Sequence, residues 1–433
     1  MRIVLVNRYF HPDESATSRM VSSLAFGQAA QNVKVTILAS RFRHDDPHDP
    51  LPRREDLDGV SVHRLPASHY GRAGLAGRAA DYLSFHAAAA LWCLRHVRRG
   101  DIVIACTDPP LLSVTLAASL AGRGAHLVNW LHDLFPEVAI ELDVLTRTGV
   151  VAWALLGLRD WSLGLARTNV VPTDAMAQAL GLRGVASGKT AIIPYWSEEA
   201  IVPVHPDDNR LRREWNLADP FVVGYSGNFG RAHEFRTLLD AADLLRDEPG
   251  IRFLLIGGGY ARRHVEEEIR RRRLANVVLR PLQARARLTE SLSVADVHLI
   301  SLLPALEPYV VPSKLYGILA AARPAIFIGA SDGEVAMALR RHGCGETVSI
   351  GDAPALARQI IALQRNPAMR EARGANARLA FDIAHRREHG LAAWTTLLQG
   401  IATDRRSPDH ENDYSAASGA AASDGSASLR RPR

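Results

Sequence analysis

Three stretches of this chain combine glycine and charge in patterns that chemistry can use. "GYSGNFGRAHE" (224–234) spaces Gly224, Gly227 and Gly230 three apart, with Asn228 between them and Arg231 and His233 following. Such glycines let the backbone turn its N–H groups toward an anion, and arginine adds charge-assisted hydrogen bonds. The same spacing also serves as a plain strand-to-helix turn. It does not match the dinucleotide fingerprint G-x-G-x-x-G, whose acidic partner would fall at Asp247 or Glu248, on a helix end. "LLIGGGYARRHVEEE" (254–268) is a second glycine turn, open to close approach of a ligand or merely tight. "VVPSKLYGILAAARP" (310–324) holds Lys314, one of three Lys (with Lys34 and Lys189) among 52 basic residues. Pro312 biases Val311 away from helix and Ser313 is a predicted N-cap, so Lys314 falls in a first helical turn. A cation is disfavoured there unless an anion shares the site, which points to phosphate. Glu307, seven residues upstream, suits sugar hydroxyls. In "GASDGEVAMALRR" (329–341), Glu334 after Asp332 and Gly333 either binds hydroxyls or caps its helix.

The first half supplies a different set. "NWLHDLFPEVAIEL" (129–142) sets His132, Asp133 and Glu137 just after an apolar run. An imidazole beside a carboxylate is a general acid–base pair when it faces a cleft, and a structural pair otherwise. "VNRYFHPDESATSR" (6–19) contributes His11, Asp13, Glu14 and Arg19, and "ACTDPPLLSV" (105–114) contributes Thr107 and Asp108.

These residues all follow strand-like segments. "RIVLVN" (2–7), "KVTILAS" (34–40), "VSVHRL" (60–65), "DIVIAC" (101–106), "HLVNWL" (126–131), the 169–173 region and "TAIIPY" (190–195) are continuous apolar runs. Runs of that kind mark strands covered on both faces, as in parallel sheets. A polar, Pro-containing segment (196–215) reads as a linker with a short helix. A second series follows at 220–227, 252–259, 276–281, 296–301 and 324–329, with helices between, such as 234–247. The pattern predicts an α/β protein of two doubly wound, Rossmann-like domains, whose strand ends face one cleft where ligands bind. Beyond residue 403 Ser, Gly and Ala dominate, and a disordered tail is expected.

The bulk numbers agree with a globular chain: 433 residues, 47% hydrophobic, 23% charged. A net charge of +6 suits an anionic partner, whether nucleotide, nucleic acid or acidic membrane surface. Cys93, Cys106 and Cys344 lack metal-type or paired spacing and read as reduced thiols of a cytosolic protein. The N-terminus lacks the pattern of a signal peptide. The longest membrane-like run, "GVVAWALLGL" (149–158), stops at Arg159-Asp160, short of a span. The helical stretch 79–100 carries Tyr82, Phe85, Leu91 and Trp92 and then Arg95, Arg98 and Arg99. It fits either an anionic membrane surface or an ordinary core helix.

Together, "SGNFGRAHE", "IGGG", "PSKLYGILAAARP" and "DGEVA" resemble the donor half of the family-4 glycosyltransferases, which have the two-domain GT-B fold. "YFHPDESATSRMVSSLA", "TDPPLLSV" and "NWLHDLFPEVA" resemble the acceptor half of that family's bacterial O-antigen, capsule and exopolysaccharide subgroup. The resemblance spans about residues 1–400. It implies a retaining hexosyl- or N-acetylhexosaminyl-transferase that uses a nucleotide-sugar, UDP-linked, as co-substrate, with no cofactor and no obligatory metal. It implies an acceptor-binding domain over 1–197 and a nucleotide-sugar-binding domain over 198–383. A helix over 384–402 would pack back on the first domain, with the disordered tail over 403–433. Gly227, Asn228, Gly230, Arg231, His233, Ser313 and Lys314 would hold the nucleotide diphosphate. Glu307, Gly333 and Glu334 would meet sugar or ribose, His132 and Asp133 the reaction centre, and His11, Asp13, Glu14 and Asp108 the acceptor.

The implied partners are the donor and a glycan or lipid-linked acceptor, in the cytoplasm at the inner face of the membrane as a peripheral protein, with no nucleic acid. One feature departs from the broad family, which carries two glutamates eight positions apart near this helix start. Here those positions are Tyr309 and Gly317, with Glu307 as a shifted first member. His233-Glu234 stand where a basic residue is usual. A nucleotide-sugar 2-epimerase and a catalytically silent nucleotide-sugar-binding protein are the competing readings.

Overall fold

The computed structural model describes residues 1–43, 49–70, 74–197 and 201–403. The tail expected to be disordered lies, beyond Thr403, outside the described residues. So do 44–48 of the polar loop "HDDPHDP" and 198–200 of the expected linker.

The first lobe is built on eight strands: β1 (Arg2–Val6), β2 (Lys34–Ser40), β3 (Arg54–Leu57), β4 (Val60–Leu65), β5 (Ile102–Ala105), β6 (His126–Trp130), β7 (Thr168–Val171) and β8 (Thr190–Ile192). Their order is β3-β4-β2-β1-β5-β6-β7-β8. The pairings are parallel except β3 with β4. The second lobe has six strands: β9 (Phe221–Ser226), β10 (Ile251–Ile256), β11 (Val277–Arg280), β12 (Val297–Ser301), β13 (Ala325–Ile328) and β14 (Gly345–Val348). Their order is β11-β10-β9-β12-β13-β14, parallel throughout. Helices cover both faces, which is why β1 and β5 are aliphatic at nearly every position and β9 and β12, with aromatic and polar residues among their aliphatics, are buried almost throughout.

Chain order reverses between β1 and β5 in one sheet and between β9 and β12 in the other. A crevice opens at such a point, beyond the strands' carboxyl ends. The loops after β1, β5, β9 and β12 contain His11, Asp108, Gly227 and Glu307, so the topology alone gathers the candidate residues.

Two strands were not anticipated. β3 is a short, charged edge strand joined to β4 by Asp58 and Gly59, both with positive φ. Asp-Gly at a two-residue turn is a hairpin signal, so this strand was legible. β14, "GETV", has too few apolar residues to register as a strand. The helix expected at 79–100 runs Leu75–His96, and its Phe85 and Cys93 sit in the core.

After the helix Pro367–Ala380 the chain widens into a π turn, Phe381–His385, and the helix Arg387–Thr403 then lies on the first lobe's helix Ala16–Ala30. Trp394 is fully buried there, edge-on to Trp130 at 4.7 Å between ring centroids. Gln28 Nε2 donates to Thr395 Oγ1 (2.8 Å) and Trp196 Nε1 donates to Ser23 Oγ (2.9 Å). The last helix therefore belongs to the first lobe's core while its chain comes from the second. Trp394→Ala should destabilise the first lobe by about 3–5 kcal/mol, read as a lowered urea midpoint. Gln399→Ala, on the exposed side of the same helix, should change it little.

Candidate functional site

The site begins with two glycine loops laced together. Gly227, at the end of β9, has φ +136° and donates its N–H to Ile256 O (2.9 Å). Phe229 N–H donates to Gly258 O (2.7 Å), and Ala261 N–H donates back to Phe229 O (2.8 Å). A Cβ at Gly257 would lie 1.9 Å from Gly227 O. The second glycine run thus admits the first loop's backbone, so packing alone accounts for the glycine at 257. Phe229 anchors the lacing: its ring stacks on Phe235 (4.9 Å) and meets Tyr225 edge-on (5.4 Å). The Tyr225 hydroxyl donates to Asn228 O (2.9 Å).

Lys314 stands against this loop. Its Nζ is sealed from solvent, 3.8 Å from the Tyr225 ring centroid and 3.7 Å from where a Gly227 Cβ would sit. It makes no ion pair or hydrogen bond among the described residues, and burial pulls its pKa down to about 7. The expected N-cap is not made: Ser313 has helical backbone angles and its side chain accepts no capping bond, so it is exposed at the start of the helix Lys314–Ala320. His233 Nδ1–H donates to Ser301 O (2.5 Å). Burial and then the Lys314 charge push its pKa down to about 3, so its imidazole is neutral. Glu234, at the position usually basic, caps the helix Arg236–Leu244 by accepting Thr237 N–H (3.0 Å). Arg231 is exposed and stacks over Tyr260 (4.1 Å), and Asn228 is exposed.

Glu307 is buried at 8% exposure. A Cβ at Gly333 would fall 2.4 Å from its carboxyl, so glycine at 333 is what leaves room for it. Burial pushes Glu307 up to about 7; the Glu334 N–H it accepts opposes this, and the Asp332 and Glu334 charges add to it. Glu334, first residue of the helix Glu334–His342, is also pushed up, by burial and then by Asp174 of the first lobe. Of the two positions where the broad family is acidic, Tyr309 gives its carbonyl to Leu134 N–H (3.0 Å) and Gly317 packs near Leu292.

On the first lobe, β6 delivers His132 and Asp133. The Tyr195 hydroxyl donates to His132 O (3.2 Å) and lies 2.9 Å from His132 Nδ1, which then donates to it. That assignment leaves Nε2 as an acceptor. Burial pushes His132 down to about 3, so it is neutral. Asp133 is pushed up by burial, against a hydrogen bond from Thr107, and its main chain bridges Val310 of the second lobe. Tyr195 also meets Tyr316 edge-on at 6.0 Å.

The expected acceptor residues divide. Asp13 is buried and braces its own loop, its Oδ1 accepting Ser15 N–H (2.8 Å) and its carbonyl accepting the Ser18 hydroxyl (2.8 Å). His11 and Glu14 are exposed, and Arg285 of the second lobe helps lower the His11 pKa, after burial. Asp108 is half-buried and its carbonyl accepts Arg8 N–H (2.7 Å). Sequence reasoning missed Tyr195, Tyr225 and Asp174. Tyr195 ends "TAIIPY", so the strand-end rule applied to the other residues would have found it.

Five polar atoms here are buried with no hydrogen-bond partner among the described residues: His132 Nε2, Asp133 Oδ1, Glu307 Oε1, Lys314 Nζ and Glu334 Oε2. Buried polar atoms are nearly always paired. Donors and acceptors left over together, from both lobes, are complementary to a polyhydroxylated anion.

Comparison with known proteins decides the family. Residues 15–196 match the Glycosyl transferase 4-like domain and residues 220–366 match Glycosyl transferases group 1. This chain is a family-4 glycosyltransferase. WcaI of Escherichia coli (strain K12), named as a colanic acid biosynthesis glycosyl transferase, is 36% identical over 141 residues, 32% of this chain and 34% of WcaI. WbjE of Pseudomonas aeruginosa, named as a glycosyltransferase, is 27% identical over 265 residues, 61% of this chain and 66% of WbjE. The matches thus span about a third and just under two thirds of these relatives' lengths. The fold is GT-B. It is shared with sucrose-phosphate synthase from Thermosynechococcus elongatus (TM-score 0.75, 19% identity, 92% of this chain and 98% of that one). It is shared also with Anabaena HepE, solved in complex with UDP-glucose (TM-score 0.68, 15% identity, 92% and 100%).

The Gly333 contact gives a direct test of this family-4 site. Gly333 has φ −70°, which alanine adopts freely, so Gly333→Ala acts only through the Glu307 carboxyl. It should destabilise the protein by about 1–3 kcal/mol, and adding Glu307→Ala should recover much of the loss in a thermal-melt double-mutant cycle.

Proposed function

We propose that this glycosyltransferase moves a hexosyl or N-acetylhexosaminyl group from a UDP-sugar to a glycan or lipid-linked acceptor in cell-surface polysaccharide assembly, with retention at the anomeric carbon. The observation that carries the reading is the buried, unpaired Lys314 ammonium against the Gly227 loop. Breaking the donor's glycosidic bond leaves negative charge on the departing diphosphate. A preorganised cation in a water-poor cleft stabilises that charge as it develops. Glu307 and Glu334 accept donor hydroxyls, and Gly227 and Gly230 let the loop approach the phosphates. His132 and Asp133 face the sugar from the other lobe, where the acceptor arrives past His11 and Asp108. The relatives' names and HepE's bound UDP-glucose support the donor class and the setting. We place the reaction in the cytoplasm, at the membrane's inner face.

Purified protein should transfer sugar from a UDP-sugar only when membrane extract supplies an acceptor, giving a product of the donor's anomeric configuration. An isomerised nucleotide-sugar formed without acceptor, or binding with no product, overturns the transferase reading. UDP-sugar should raise the melting temperature of the native protein, and Lys314→Ala should lose most of that shift.

The pH dependence has a definite sign. In the free protein Lys314 titrates at about 7, lowered by burial. A bound diphosphate holds it protonated, so binding above pH 7 takes up a proton. Affinity for a UDP-sugar should therefore fall as pH rises from about 7 to 9, approaching about tenfold per unit. Lys314→Arg, which stays charged, should show a shallower slope by titration calorimetry; an equal slope removes Lys314 from the phosphate site.

A further inference from the structure

The membrane-like run "GVVAWALLGL" lies in the helix Val150–Leu165. No helix among the described residues is long and apolar enough to cross a membrane. This one nevertheless turns its apolar side outward: Val150 (81% exposed), Trp153 (77%), Leu158, Trp161 and Leu165. Their spacing of three to five residues makes one stripe. The helix's opposite face is packed and mixed, burying Ala152 and Leu163 together with Arg159 and Ser162. Ser162 hydrogen-bonds Ser113 of the neighbouring helix Leu112–Leu120 (2.9 Å), and Arg159 makes a bidentate pair with Glu137. A helix with apolar residues on its packed face thus carries a second apolar stripe that nothing among the described residues covers.

A second row of exposed apolar residues stands on the next helix but one. Helix Leu112–Leu120 also packs against Leu75–His96, whose outward face carries Leu83, Ala87, Leu91 and Leu94. The helices end beside one another at the amino edges of β5, β6 and β7, where Gly100 N–H bonds Gly124 O and Arg167 N–H bonds Leu127 O. Arg95, Arg98 and Arg99 are exposed along that edge, beside Arg123 and Arg167. Asp160, the acid within the tryptophan helix, is already held by Arg159 and Arg183. The face is therefore apolar with a basic border.

We propose that this three-helix face is the surface by which the protein lies on an anionic phospholipid bilayer. Exposed Trp and aliphatic side chains enter the headgroup–acyl boundary, and arginines at the border meet anionic headgroups. Exposed large apolar side chains grouped in this way mark an interaction surface. A protein partner would have to match both the tryptophan stripe and the arginine edge, whereas an anionic bilayer offers both. The face is also joined to the cleft. Glu137, which Arg159 grips from the inner side of the tryptophan helix, opens the segment directly after His132-Asp133. The assignment rests on the surface itself, and the transfer reading supplies only its use: an acceptor held in the bilayer would enter the cleft from this side.

The test uses intact protein and vesicles of phosphatidylglycerol and phosphatidylethanolamine, with phosphatidylcholine vesicles as the neutral comparison. Native protein should co-sediment with the anionic vesicles, and brominated acyl chains should quench its tryptophan fluorescence. Trp153→Ser with Trp161→Ser should lower the partition coefficient by about tenfold or more and abolish most of the quenching. Arg98→Gln with Arg99→Gln should lower binding to anionic vesicles and flatten its salt dependence. Both variants should keep the native melting temperature and its rise with UDP-sugar, which shows that the fold and donor site are intact. Native protein left in the supernatant overturns the proposal, as does a tryptophan variant that partitions like native. So does a native dimer that the tryptophan changes dissolve while vesicle binding is absent. Vesicle binding in a protein that ignores UDP-sugar supports this surface and overturns the transferase reading alone.

Discussion

A buried ammonium without a counter-ion is the constraint around which the donor lobe is arranged. Removing such a charge from water is costly unless it is paired or neutralised. Here the Tyr225 ring face offers partial compensation and burial lowers the lysine to about 7, so near neutrality the group is partly uncharged. Keeping it in place requires the loop beside it to be rigid. That rigidity comes from the lacing of the two glycine loops and from Phe229, which is fully buried between Phe235 and Tyr225. The sequence thus places its aromatic mass under the one loop that must not move.

The lobes meet through directional contacts as well as an apolar cluster that joins Leu131, Leu134 and Tyr195 to Val311 and Tyr316. Asp133 and Val310 share a main-chain bridge, Leu134 N–H reaches Tyr309 O, and Tyr195 meets Tyr316 two residues after Lys314. Tyr195 therefore touches both the imidazole of His132 and the helix that presents the lysine. A shift of one lobe on the other would be felt at both groups together. The helix Arg387–Thr403 works at longer range, since it starts from the second lobe and buries Trp394 in the first.

Much of this was legible because strand ends are legible. Unbroken aliphatic runs located the inner strands, and the rule that ligands sit beyond their carboxyl ends selected His132, Asp133, Gly227, Glu307 and Lys314 without knowledge of the topology. What stayed hidden depends on packing across the chain. Nothing near Gly257 announces that its missing side chain serves Gly227, and nothing near Gly333 announces Glu307, 26 residues earlier. Asp13 reads as a free carboxylate until its loop closes and its oxygen takes up Ser15 N–H. The outward apolar stripe was hidden for a different reason. Apolar residues lie on both sides of this helix, and sequence alone does not say that Leu163 turns inward while Trp153 and Trp161 turn outward.

The same burial acts oppositely on the acids and the base of the site. It lowers Lys314 and raises Glu307 to nearly the same value, about 7, while Glu334 and Asp133 are raised as well. Burial thus opposes the charged form of the acids and of the base alike before anything enters. On the proposed reading, a bound diphosphate would act in one direction only, by favouring the protonated lysine. A protonated Glu307 can donate to a hydroxyl and its ionised form can accept from one, so the group that titrates near 7 beside Gly333 suits polyol recognition in either state.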